Sequence, residues 1–171
     1  MITLSAKRKK FINDKVIDIY ESLSEKQWQL IEENEEQEEV IMAELYRKNF
    51  QRLETPEELH YFMLHWNWDE GNHIPQQVVE HPLCDKGTAL MVYWQLDPSF
   101  YTKYNSIEEA PNYVREDYNL LNSLEQRLLS NDFKTSKIKF IPSSIASWES
   151  REDSKIPSIL KIASEGEEFE E

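Results

Sequence analysis

Three glycines in 171 residues leave this chain few ways to make the positive-φ turns on which tight hairpins depend. A fold of many short hairpin strands is therefore disfavoured, and the hydrophobic spacing points to helices. Ile12, Val16, Ile19, Tyr20 and Leu23 recur at i, i+4, i+7, i+8 and i+11, one stripe of an amphipathic helix. Ser24 with Gln27 has the spacing of a capping box ahead of a second helix carrying Trp28 and Ile31. That helix is expected to run on through a glutamate-rich stretch to Ile41, Leu45 and Leu53. Repulsion among the glutamates at i,i+3 and i,i+4 is the competing reason for it to break there.

Thr55-Pro56-Glu57-Glu58 places threonine at an N-cap, proline at the first helical position and glutamate at the third. Leu59, Phe62, Met63 and Trp66 then follow as a stripe that predicts burial. A short helix is expected over residues 74–80, ending before Pro82. Asp85 to Thr88 reads as a cap for residues 89–96, which are nearly all apolar and so belong in the centre of the fold. Residues 106–130 give a further helix, started or interrupted by Pro111, with Val114, Tyr118, Leu121 and Leu128 on one face. Residues 137–141 alternate polar and apolar, but a lone strand has no ladder to join, so extended chain is expected there. Ile145 and Trp148 suggest a helical turn, and residues 156–163 a last one. The prediction is an all-α single domain of six to eight helices over residues 1–163. Its motif-bearing centre spans about residues 55–98, with at most one extended segment near 137–141 and an acidic tail over 164–171.

Charge narrows the classes of partner. Thirty-three Asp and Glu against nineteen Lys and Arg give −14, which disfavours nucleic acid and anionic membrane surfaces, since both are bound by neutralising phosphate with cations. The four cations Lys7-Arg8-Lys9-Lys10 carry no interleaved aromatic and read as a solvated helix face. The acids are bunched: Glu32, Glu33, Glu35, Glu36, Glu38 and Glu39 fall within eight positions, and the chain ends in a second run. Each run suits a solvated face or a frayed end. Together they make a negative field that speeds encounter with a basic partner. One cysteine excludes an intramolecular disulfide framework and suits a reducing compartment. No apolar run is long enough to span a bilayer, and residues 1–11 lack the apolar stretch of a secretory signal, so a soluble cytoplasmic protein is expected.

The densest segment reads His65-Trp66-Asn67-Trp68-Asp69-Glu70-Gly71, then Cys84-Asp85-Lys86-Gly87-Thr88-Ala89-Leu90 and the aromatic pair Tyr93-Trp94. In these elements the chain resembles an uncharacterised bacterial domain family marked by Asn-Trp-Asp-x-Gly followed by Cys-Asp-x-Gly-Thr-Ala-Leu, over about residues 59–98. The resemblance implies a small helical domain of bacterial origin and does not supply a catalytic site. From the residues themselves, Asn67 and Asp69 suit a helix exit, Gly71 a positive φ, and Asp85 a cap on the amides of Gly87 or Thr88. Trp66, Trp68 and Trp94 are expected to pack around the resulting corner. The alternative is that the same corner is presented to a partner.

His60, His65, His73 and His81 lie close in sequence to Cys84, Asp69 and Asp85, yet no HExxH, paired CxxC or calcium-loop spacing joins them. His60 and His65 are five apart, about 140° round a helix. Cys84 beside Asp85 lacks the positive surroundings of a nucleophilic thiolate. No glycine-rich phosphate loop or nucleophile elbow occurs, and no cofactor or metal is expected. The functional expectation is a non-catalytic binder of a basic protein, of the kind by which bacterial immunity proteins neutralise toxin domains. Two readings stay open beside it: a small metal-dependent hydrolase using the His/Asp cluster at 65–85, and an intracellular scaffold or regulatory subunit.

Overall fold

The computed structural model describes residues 1–144 and 155–170. The chain enters on a two-residue strand, β1 (Ile2–Thr3), and Ser5 caps α1 (Ala6–Ile12) by accepting the Arg8 N–H. The stripe that begins at Ile12 does not continue as one α-helix. It loosens into a π turn over Asn13–Ile17 and then tightens into a 3-10 turn over Ile19–Ser22. Ile12, Val16 and Ile19 are buried as the spacing predicts, whereas Tyr20 faces outward. The buried Asn49 side chain donates to the Lys15 carbonyl at 2.6 Å, one of the bonds that hold this irregular stretch.

The Ser24–Gln27 capping box is formed in both directions and opens α2 (Glu25–Glu33). The expected long helix is broken: Asn34 is extended (φ −155°), and α3 (Glu36–Phe50) starts afresh after it. The Asn34 side chain accepts the Glu36 N–H at 3.1 Å, so the asparagine offers the backbone an alternative to helix where charge repulsion already weakens it. Thr55 caps α4 (Pro56–Leu64) as predicted. Glu58 turns away from the cap residue to bind the Glu54 N–H and the Arg8 guanidinium, which ties α1 to α4. One of the four N-terminal cations is thus a structural strap.

A 3-10 turn (Trp68–Glu70) leads to α5 (His73–Glu80), α6 (Lys86–Gln95) and the single turn α7 (Pro98–Tyr101). A 3-10 turn over Asn112–Val114 runs into α8 (Arg115–Ser130), so Pro111 marks a start. Eight α-helices among the described residues establish the all-α class. The mostly apolar α6 is central, packed against α4, α5 and α8, and Ala89, Val92, Tyr93 and Trp94 are sealed from solvent.

The strands depart from expectation. β2 (Ile138–Lys139) is paired, and residues of the supposed acidic tail form β3 (Glu167–Glu170), the middle strand of a parallel sheet in the order β1-β3-β2. Ile2 is opposite Phe169, and Ile138 is opposite Glu167. The scarcity of glycine disfavours hairpins but says nothing against parallel pairs joined by long excursions. Gly166 permits the approach: its φ is +113°, and a Cβ there would lie 2.3 Å from Lys137 backbone atoms. Both chain ends are therefore stitched to the body of the fold. A 3-10 turn over Ser158–Lys161 stands where a last helical turn was expected. The turn expected around Ile145 and Trp148 lies outside the described residues.

Candidate functional site

The motif residues divide into a buried set and a surface set. Asp85 is fully buried, and its carboxylate accepts three backbone N–H groups: Gly87 at 2.9 Å, Lys137 at 2.8 Å and Ile138 at 3.2 Å. It caps α6 and clasps β2 with one group. Gly87 makes the clasp possible, since a Cβ there would stand 2.0 Å from the Ile138 carbonyl oxygen. Thr88 meets the buried His60 ring at 3.0 Å. Burial holds that imidazole far below its ordinary pKa, at about 4, against the opposing pull of Asp85. Trp94 donates its indole N–H to the Leu160 carbonyl at 2.8 Å. These four motif residues are framework.

Asn67, Trp68, Asp69 and Gly71 lie at the surface exit of α4. Asn67 accepts the Asp69 N–H at 3.2 Å and Gly71 takes φ +85°. The tryptophans do not share one corner: Trp94 meets Tyr93 in the core, whereas Trp66 contacts Tyr46, Phe62 and His73.

The histidines are dispersed. His65 donates its Nδ1–H to the Tyr61 carbonyl at 2.8 Å, and His81 accepts the Leu83 N–H. Burial, partly offset by Arg127, raises the Cys84 thiol to about 12, far from a reactive thiolate. Among the described residues no three His, Cys, Asp or Glu side chains are placed to hold a metal ion.

What the fold does bring together is the motif tryptophan and the glutamate run. Glu35, Glu38, Glu39, Met42 and Tyr46 fall at i, i+3, i+4, i+7 and i+11, one face running from the N-cap of α3 along the helix. They form one wall of a cleft of about 420 Å³ whose other sides are Tyr20, Trp66, Glu70 and His73. The aromatic floor is continuous: Tyr46 meets Trp66 edge-on at 5.8 Å, and Trp66 meets His73 at 6.4 Å. Tyr20 donates its hydroxyl to Glu38 at 2.6 Å, and that bond, with burial, raises its pKa to about 12. Burial chiefly, with Glu70 adding to it, pushes the Tyr46 phenol up as well. The cleft is thus lined by four carboxylates, Glu35, Glu38, Glu39 and Glu70, and by no Lys or Arg. Glu32, Glu33 and Glu36 of the run stay outside it, exposed to solvent.

Tyr20, Met42, Tyr46, Glu70 and His73 were not predicted to share a site. The α3 spacing alone, acids followed by Met and Tyr on one face, is the signal that marks two of them, Met42 and Tyr46.

Residues 54–129 match a family described as a domain of unknown function (DUF4274). No curated protein and no solved structure matches the chain. The match contains Asp85, Gly87 and the Trp66, Glu70 and His73 side of the cleft, while the Lys137 and Ile138 amides that Asp85 holds, the α3 wall and Tyr20 lie outside it.

Proposed function

We propose that this protein is a non-catalytic binding protein that captures a basic protein partner inside the cell, as an immunity protein captures its toxin. The single observation that supports this most is the cleft. Four carboxylates (Glu35, Glu38, Glu39, Glu70) stand round a floor of Trp66, Tyr46 and Met42, and no Lys or Arg is among its lining residues. Charge at the rim steers the approach of a cationic surface, and buried aromatics supply the anchor on which interfaces depend. The net charge of −14 extends the same field to longer range. No helix among the described residues is long and apolar enough to cross a membrane.

The test is affinity capture from the native cell at low and high salt, followed by kinetics with the recovered partner. A basic protein is expected, with an association rate that falls at least about tenfold between roughly 20 and 300 mM salt. A partner that is acidic, or whose association ignores salt, overturns the proposal.

A further inference from the structure

A cavity of about 370 Å³ opens where α4 meets β2 and β3, and it shares no lining residue with the acidic cleft. Leu64, Phe140, Ile141 and Phe169 give it apolar walls. Its charges cancel: Lys139 and Glu168 stand opposite each other in the β2–β3 register and pair at 3.3 Å. The Ser144 hydroxyl is taken by the Ile141 carbonyl at 2.6 Å. The remaining polar side chain of the lining is His60, only 3% exposed. Its Nδ1 meets Thr88 at 3.0 Å. Nε2 has no hydrogen-bond partner among the described residues and, unlike the sealed Trp66 Nε1, keeps contact with solvent. The small opening of this ring is therefore at Nε2, into the cavity that it lines. Thr88 decides where the ring proton sits. It is sealed from solvent, and Nδ1 is the acceptor that its hydroxyl meets among the described residues. A proton on Nδ1 would strand the hydroxyl hydrogen in the interior, so the hydroxyl donates to Nδ1 and Nε2 carries the proton. Burial keeps the ring neutral near pH 7.

We infer that this cavity binds a small uncharged molecule with an apolar, ring-bearing body and one carbonyl group, the carbonyl oxygen accepting the His60 Nε2–H. A lone unmet donor among apolar walls calls for one acceptor on an otherwise apolar ligand, the pattern by which small-molecule sites fix orientation. Phe140 and Phe169 favour an aromatic body, since rings attract one another edge-on or offset. A carboxylate gains little here, because the imidazole carries no charge and Lys139 is already held by Glu168. The volume lies at the lower end of the usual range for ligand pockets and suits a compound of one or two rings. The site is separate from the acidic cleft, and its ligand does not depend on the proposed partner binding.

The experiment titrates the full ¹⁵N-labelled chain with acetophenone, and in parallel with ethylbenzene, which keeps the ring and lacks the acceptor. Long-range ¹H–¹⁵N spectra of the four imidazoles report which nitrogen is protonated and how it responds. The His60 signals are assigned by their loss in His60→Gln, or by elimination through Gln variants at His65, His73 and His81 if that variant does not fold. The expected result is a proton on Nε2 in the free protein and a saturable shift of that nitrogen with acetophenone. Ethylbenzene is expected to bind about fivefold more weakly, the worth of one hydrogen bond. Ile141→Ser changes an exposed wall residue and is expected to weaken acetophenone about threefold. A proton on Nδ1, an unmoved Nε2 signal, equal binding of the two probes or undiminished binding by Ile141→Ser each overturns the inference.

Discussion

Asp85 shows how one side chain serves both local and distant structure. Its role as a cap is legible in sequence, because a short acid two residues ahead of a glycine at the start of an apolar run has few other uses. Its second role, holding the Lys137 and Ile138 amides, lies more than fifty positions away and leaves no mark in local spacing. Replacing it by alanine strands three buried donors, so Asp85→Ala is expected to lower unfolding free energy by about 3–5 kcal/mol in urea titrations. His60 is buried neutral for a related reason. Its folded pKa of about 4 lies below the unfolded value of 6.5, so the unfolded chain takes up the proton first. Its contribution is present in full above pH 6.5 and is lost as pH falls toward 4, a change of about 3 kcal/mol at most. Unfolding curves across that window are expected to slope for the wild type and to flatten for His60→Gln.

At the scale of elements, the legible ones are those whose signals are contiguous: the Ser24 and Thr55 caps, α5 ahead of Pro82, and the apolar α6. The break at Asn34 was foreshadowed by repulsion among the glutamates and settled by an asparagine hydrogen bond. The sheet was illegible, because three strands of two to four residues gain their pairing only when segments from both ends of the chain meet. Phe169 shows that β3 is more than a tail: its ring packs on His60 at 5.1 Å and Tyr61 at 6.4 Å. Deleting residues 165–171 is accordingly expected to lower Tm by several degrees, about 4–8 °C per 100-residue domain for each kcal/mol lost and less in a longer chain. A frayed acidic end would leave Tm unchanged. The strap between α1 and α4 gives a separate acid signature. Burial would raise the Glu58 carboxyl, but Arg8 and the Glu54 and Thr55 contacts outweigh it and hold the group below its ordinary value. Its stabilising effect is thus present above about pH 4.5 and is lost as pH falls through the lowered folded value. Glu58→Gln is expected to remove that loss while leaving the His60 window intact.

For the whole molecule, composition alone showed the sign of the field, and the resemblance marked the central segment. Neither showed that the charge run and Trp66 would share a cleft, since Glu35 and Trp66 are placed together only by the packing of α3 beside the exit of α4. Under the proposed function, charge and anchor act on different rates. The most direct measurement compares association and dissociation rates with the recovered basic partner, over a salt series, for the wild type, Glu35→Gln/Glu39→Gln and Trp66→Phe. Steering by the α3 wall predicts that the double variant associates more slowly with a shallower salt slope, its dissociation little changed. Anchoring at Trp66 predicts that Trp66→Phe dissociates about tenfold faster or more. Unchanged rates in both variants would contradict a shared acidic and aromatic site.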